Sequence, residues 1–397
     1  MISSSKLFLY ILFFVSPFID AINGYLVLNG FSSEGGSGSI GQAFRLFLTI
    51  YAFYFLGVTL SSLYIFIIFI ASVFVEVFFA IFHQNISGLL VGIIYANKII
   101  FILLVYLALK KVANFYGLNI IVKLFIISAC LYGTLLIITT VLGISTSTYY
   151  SGMGSKGVFA SGNGLSLYIG ASSLVALYYL RAKPILFYLV PCFLIFSSLI
   201  VGTKASLIFS ALFFLVIFNR VSMSAKFIFA VIFSLIIYFN FNYLLESFNL
   251  IFEVIVSRYN NSDSLFHFLA SGRDQILALA LSDFNIDGIN IIRVMTGYGV
   301  FTSYRSPTSF ISSFDTLESD FLDVFFMYGA IGIFIYLSVF FKSLLNSIYS
   351  KDLALVLSVL GVFGYSFIAG HVLFNAMSSL VLCIVVLITL NYNCSKS

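Results

Sequence analysis

The chain is a near-continuous succession of apolar stretches, each about the length of a bilayer-crossing helix and parted by only a few polar residues. Such a helix needs roughly 20 mostly apolar residues, because the hydrocarbon core is about 30 Å thick and a helix rises about 1.5 Å per residue. Lipid offers the backbone no hydrogen-bond partners, so a chain with this pattern folds as helices. Composition agrees. Apolar residues make up 61% of the 397 and charged residues 8%, with a mean hydropathy of +1.14, whereas soluble domains carry about 25% charge. A soluble enzyme, a disordered chain and an ordinary basic nucleic-acid binder are excluded.

Cutting at polar breaks predicts spans over 6–23, 41–59, 62–82, 88–109, 121–143, 158–180, 185–202, 204–219, 226–245, 320–345, 352–369 and 371–391. The expected fold is an all-α polytopic membrane protein of about twelve transmembrane helices. Residues 1–245 form an N-terminal bundle, 246–319 a long loop and 320–397 the C-terminal helices. The first span has no small-x-small cleavage site close behind it and reads as uncleaved.

Orientation follows from Lys and Arg, which concentrate in cytoplasmic loops. With the N-terminus inside, the inner segments collect Lys6, Lys110, Lys111, Lys123, Arg181, Lys183, Arg220, Lys226, Lys342, Lys351 and Lys396, against Asp352 as their one acid. Both termini are then cytoplasmic. The junctions 24–40, 144–157 and 202–204, the 246–319 loop and the turn at Gly370-His371 face outward, into the periplasm of a two-membrane host. Cys130, Cys192 and Cys383 lie in apolar runs and Cys394 in the C-terminal tail, so no disulfide framework is expected.

The outer loop carries Arg258, Arg273, Arg293 and Arg305 among a larger number of acids. A net-acidic loop is no general sticky surface for anionic lipid, so phosphate binding there falls to particular arginines, whose planar fork meets phosphate oxygens in pairs. Each also has acidic neighbours with which to pair. Lys204 stands at an outer span junction, against the orientation rule; the plain alternative is a snorkelling lysine. Glu318, Asp320 and Asp323 crowd the point where the chain re-enters the membrane. Ser319 is placed to cap that helix and Asp320 to offset its dipole, which leaves Glu318 the freer carboxylate and the first candidate for a general base. Asp320 and His371 follow it. Deeper in the membrane, Glu76 and Lys98 on adjacent spans suggest a buried pair, with Asp20 near the same region. The scattered histidines give no metal signature.

Several short pieces occur in an informative order: Asp20-Ala21-Ile22-Asn23-Gly24-Tyr25; Gly157-Val158-Phe159 followed by Asn163; Val201-Gly202-Thr203-Lys204-Ala205-Ser206; Ser271-Gly272-Arg273; Gly297-Tyr298-Gly299-Val300-Phe301; Glu318-Ser319-Asp320-Phe321-Leu322 running into Tyr328-Gly329-Ala330-Ile331-Gly332; and Gly370-His371. This set resembles the O-antigen polymerases of the Wzy type, within the wider O-antigen ligase and polymerase superfamily. The resemblance implies a bundle similar to the polytopic lipid-linked glycosyltransferases (GT-C-like), with one long, partly helical periplasmic loop, in the bacterial inner membrane. It implies polymerisation of undecaprenyl-diphosphate-linked repeat units at the periplasmic face. The growing glycan passes from one lipid diphosphate to a sugar hydroxyl of a second lipid-linked unit. Neither metal nor nucleotide cofactor is implied. The partners implied are the lipid-linked donor and acceptor, membrane lipid and a chain-length regulator protein.

Residue by residue, Arg273 matches the loop arginine that related ligases present to the donor diphosphate, and Lys204 stands where those ligases usually carry Arg. Arg293 and Arg305 join them as diphosphate-binding candidates. The ligases have a His near the position of Glu318 and Asp320, which favours a polymerase over a ligase here. A ligase acting on the same glycan, or a flippase or transporter of the lipid-linked repeat, are the competing readings. A transporter should string its charges along a central path with repeat symmetry, whereas these charges collect at one face.

Overall fold

The computed structural model describes residues 2–31, 39–82, 87–149, 152, 154–220, 223, 256, 259–260, 277–278, 280–281, 290–297, 299, 317, 319–370 and 372–391. Among them the secondary structure is helical apart from one isolated bridge between Ser147 and Ser155. The helices are α1 (Ile2–Tyr10), continued by a π-helical turn at Ile11–Val15, α2 (Ser16–Leu28), α3 (Ile40–Leu56), α4 (Leu60–Phe82), α5 (Ser87–Tyr116), α6 (Leu118–Val141), α7 (Gly162–Tyr179), α8 (Pro184–Val201), α9 (Lys204–Arg220), α10 (Asn290–Thr296), α11 (Asp320–Tyr349), α12 (Leu353–Ala369) and α13 (Ala376–Asn391).

A described helix occupies every predicted interval except 226–245, which lies outside the described residues. The expected count of membrane crossings is a different matter. Among the described residues, five helices are long and apolar enough to cross: Ser4–Leu28, Leu60–Phe78, Leu89–Tyr116, Leu118–Val141 and Asp320–Tyr349. The apolar helices Ile40–Leu56, Ile185–Val201, Leu353–Ile368 and Ala376–Asn391 are shorter. The chain is thus an all-α protein with the helices of a membrane protein.

One continuous core runs from Phe8 to Ile388. Its two central helices are α7 and α13, buried along nearly their whole length. A helix that is apolar or small on every side belongs inside a bundle. α7 achieves this with small residues: Gly170 lies against Phe209, Gly164 against Asn375, and Ser166 hydrogen-bonds Thr203. α13 packs on both α5 and α7, so the C-terminal helices complete the N-terminal bundle.

The helix α11 is broken at Gly329, whose φ of 64° and ψ of −160° are outside helical values. The Met327 carbonyl, next to the break, accepts a bond from the Gly299 N–H at 3.2 Å. Gly297 and Gly299 therefore meet the Met327–Gly329 stretch in space.

Charge marks one end of the bundle. Asp352 caps α12, accepting from the Ala354 N–H at 2.9 Å. Its carboxylate also binds Arg220 at 2.8 and 2.9 Å and Arg181 at 3.2 Å. Arg220 reaches on to the Leu177 carbonyl at 3.0 Å. Arg181 follows α7, Arg220 closes α9 and Asp352 opens α12, all at a common end, where the alternation of spans placed the three together.

Candidate functional site

A polar cavity of about 400 Å³ opens at the opposite end. Six segments build it. α2 supplies Asp20 and Asn23, and the start of α3 supplies Gln42 and Arg45. α5 supplies Tyr95 and Lys98. The 144–161 connection supplies Thr148, Tyr149, Lys156 and Ser161. The start of α7 supplies Asn163, and the turn into α13 supplies Phe374 and Asn375.

Local sequence explains why these segments converge. The π-helical turn at Ile11–Val15 precedes α2, and Pro17 sits in the first turn of α2, where its missing N–H is not needed. Residues 20, 23 and 24 then share one face of α2. Asn23 accepts from the Gly41 N–H at 3.0 Å and so ties α2 to the start of α3. Gly24 admits the backbone of 158–160: a Cβ there would lie 2.1 Å from the Val158 carbonyl oxygen. Two of the family-like pieces, 20–25 and 157–159, thereby touch. The connection is pinned from its other side, with the Thr148 hydroxyl donating to the Val201 carbonyl at 2.7 Å and the Ser155 N–H to that of Ile200 at 2.9 Å.

Three cations line the cavity: Arg45, Lys98 and Lys156. Arg45 also lines two smaller pockets nearby, one with Asp20 and Tyr132, the other with Asn97 and Lys98. Its Nε is buried without a hydrogen-bond partner. Lys98 lies 3.7 Å from the centroid of the Tyr95 ring, a cation–π distance. Lys156 donates to the Ala160 carbonyl at 3.1 Å. Among the described lining residues, Asp20 is the one carboxylate, and its Oδ2 accepts from the Tyr132 hydroxyl at 2.5 Å. The remaining lining is rich in carboxamides and hydroxyls, the chemistry that meets sugar hydroxyls and phosphate oxygens.

The residues singled out from sequence fall into three groups. Asp20 and Lys98 line the cavity, and Asn163 with them. Asp320, Lys204 and Glu76 are described but do not line it. Asp320 is fully buried, and its Oδ2 accepts from the Ser366 hydroxyl at 2.6 Å and from the Val372 and Leu373 N–H groups at 2.9 and 3.1 Å. That carboxylate is an anchor for the turn that carries Phe374 and Asn375 into the cavity wall, a different task from the general base expected of it. Ser319 precedes α11 but does not cap it with its side chain: its hydroxyl donates to the Phe367 carbonyl at 2.8 Å. Asp323, 1% exposed, accepts from the Leu317 N–H at 2.6 Å.

Lys204 begins α9, is exposed, and is not among the cavity-lining residues. Glu76 is 3% exposed and packs against Gly92 and Gly299, while Lys98 lines the cavity. Arg273, Arg305, Glu318 and His371 lie outside the described residues, as does the side chain of Arg293.

Arg45 and Lys156 were missed from sequence. A signal for both was present. An arginine inside an apolar span is a functional-site hypothesis by default, and Lys156 sits in an outer junction against the charge rule, as Lys204 does. Comparison with protein-family models, with curated proteins and with solved structures finds no match to this chain.

Proposed function

We propose that this chain polymerises undecaprenyl-diphosphate-linked O-antigen repeat units at the periplasmic face of the bacterial inner membrane. The observation that carries the reading is the convergence of Arg45, Lys98 and Lys156 on one polar cavity at one end of an apolar bundle. Three half-exposed cations gathered around one carboxylate, at the end of an apolar bundle, make a site that attracts an anion. A lipid diphosphate is such an anion and brings an apolar tail suited to the surrounding membrane.

The chemistry follows. A sugar hydroxyl of the acceptor attacks the anomeric carbon of the donor glycan, and the carbon–oxygen bond to the diphosphate breaks. Charge develops on the departing diphosphate. Cations held in place by the fold stabilise it without reorganising, and each such donor is worth about 10²–10³ in rate. Arg45 offers a paired fork to phosphate oxygens, Lys98 and Lys156 point charges. Asn23, Asn163 and Asn375 supply hydrogen-bonding groups for the sugar next to the phosphate. Arg273, with Arg293 and Arg305, adds contacts from the 246–319 loop in this reading, and Glu318 and His371 lie in the segments flanking α11 and α13. A chain-length regulator acts on the product from outside this chemistry.

The test is a lipopolysaccharide gel from cells in which this chain is the polymerase. Arg45→Ala and Lys156→Ala should each give core plus one repeat unit with no ladder, at equal protein level. A normal ladder in both variants overturns the reading. Loss of the single-unit band as well would point to a flippase or a ligase.

A further inference from the structure

We infer that Asp20 accepts the proton from the attacking sugar hydroxyl. The inference rests on the lipid-diphosphate reading above and adds to it a residue that the sequence assigned only to a structural polar region.

Three observations carry it. Asp20 is the one carboxylate among the described residues lining a cavity that also holds Arg45, Lys98 and Lys156. A negative group in an anion site weakens ligand binding, and this one stands beside Arg45, whose charge it offsets and next to which, in this reading, it reaches the reacting atoms. The carboxylate is also held in place. Tyr132 donates to Oδ2 and is itself 2% exposed, with its ring centroid 5.6 Å from that of Phe159 and 4.8 Å from that of Tyr168. Tyr168 in turn donates to Ser128 at 3.1 Å. A base must stay aligned while the proton moves, and this aromatic packing fixes Tyr132, which fixes Asp20. Finally, the π-helical turn Ile11–Val15 lies just before α2. An added residue of this kind rotates the face that follows it, and such turns concentrate at functional sites.

The step balances as follows. The acceptor oxygen forms its bond to the anomeric carbon as the bond from that carbon to the diphosphate oxygen breaks. The electron pair leaves on the diphosphate, beside Arg45. The hydroxyl proton passes to the Asp20 carboxylate and then to water. Tyr132 is a positioning residue: it touches Asp20, not the reacting atoms.

The experiment uses the full-length chain in lipid nanodiscs, with undecaprenyl diphosphate as the binding probe and lipid-linked repeat units for turnover. Asp20→Asn keeps the shape and an acceptor for Tyr132 but removes basicity. Turnover should fall by about 10²–10⁴, the usual worth of a general base. Binding of undecaprenyl diphosphate should hold or tighten, because a negative charge has left the anion site. Tyr132→Phe should lower kcat with little change in KM. Asp20→Ser opens space beside the site, and added formate should restore part of its turnover, which a structural role does not predict.

Near-normal turnover of Asp20→Asn overturns the inference. So does loss of binding together with turnover, which makes Asp20 structural. If Asp20→Asn does not accumulate, Asp20→Ser decides: bound lipid with no rescue by formate counts against Asp20 as the base. Failure of the unaltered protein to bind undecaprenyl diphosphate would sink the functional reading instead, and the two failures are distinguishable.

Discussion

Gly297 and Gly329 press backbone against backbone. A Cβ on Gly297 would lie 2.3 Å from the carbonyl carbon of Met327, and one on Gly329 would lie 2.5 Å from that of Met295. Both glycines have positive φ, 76° and 64°. This contact locks α10 onto the break in α11.

The first prediction follows from that contact. Gly329→Ala must hold an L-residue in a backbone region that is essentially reserved for glycine, a strain of order 1–3 kcal/mol before any clash is counted. The clash is with backbone, which cannot swing aside. Gly329→Ala should lower the thermal stability of the detergent-solubilised protein clearly, and Gly297→Ala should do the same. Gly364→Ala is the control, because no atom lies within 4 Å of its Cβ position. Equal melting temperatures for the Gly329 and Gly364 variants would refute the lock.

A second prediction concerns the opposite end. Asp352 serves Arg181, Arg220 and the first turn of α12 at once, and its side chain is 6% exposed. Arg220 is 24% exposed and Arg181 58%. Breaking a buried pair costs roughly 3–5 kcal/mol, and an exposed one about 0–1 kcal/mol. Loss of Asp352 also removes a helix cap, worth about 1 kcal/mol. The order of destabilisation should be Asp352→Ala, then Arg220→Ala, then Arg181→Ala, the last nearly silent. Denaturation of the three variants in one detergent checks this. An Arg181→Ala as damaging as Arg220→Ala would contradict it.

These elements also show what sequence can and cannot carry. The helix positions were legible because an apolar run ended by polar residues has few other ways to satisfy its backbone. The common end of Arg181, Arg220 and Asp352 was legible from alternation alone. The number of crossings is a separate question, since five described helices meet the length and apolarity of a span and the other apolar helices are shorter. α13 is apolar because it is wrapped by α5 and α7 as well as by any lipid, and sequence does not separate those two causes of apolarity. At 16 residues it is about 24 Å long, short of the hydrocarbon thickness.

The cavity was only half legible. Asp20 and Lys98 stood out as charges in apolar surroundings, and Asn163 as part of the ordered sequence pieces. Their meeting with Arg45 and Lys156 is a matter of packing. Asn23 must bind Gly41, and Gly24 must admit residues 158–160, before those side chains share a space. Asp320 misled for a related reason. A carboxylate at a helix start reads as accessible, and only the fold reveals that residues 372 and 373 close over it.

The last prediction concerns sidedness, on which the proposed chemistry depends. The structure puts the cavity and the Asp352 cluster at opposite ends of α7, which carries Gly162 and Asn163 at its start and precedes Arg181 at its finish. On the orientation expected from Lys and Arg, the Asp352 end is the cytoplasmic one. In a variant whose four cysteines are replaced by Ala or Ser, two single-cysteine probes separate the ends. Asn29 follows α2 at the cavity end, Lys183 precedes α8 at the other, and both are exposed. An impermeant thiol reagent applied to cells with a permeabilised outer membrane should label Asn29→Cys and spare Lys183→Cys until the inner membrane is opened. The reverse pattern would place Arg45, Lys98 and Lys156 at the cytoplasmic face. The cavity would then meet lipid-linked units before they cross the membrane, and polymerisation on the periplasmic side would lose its site.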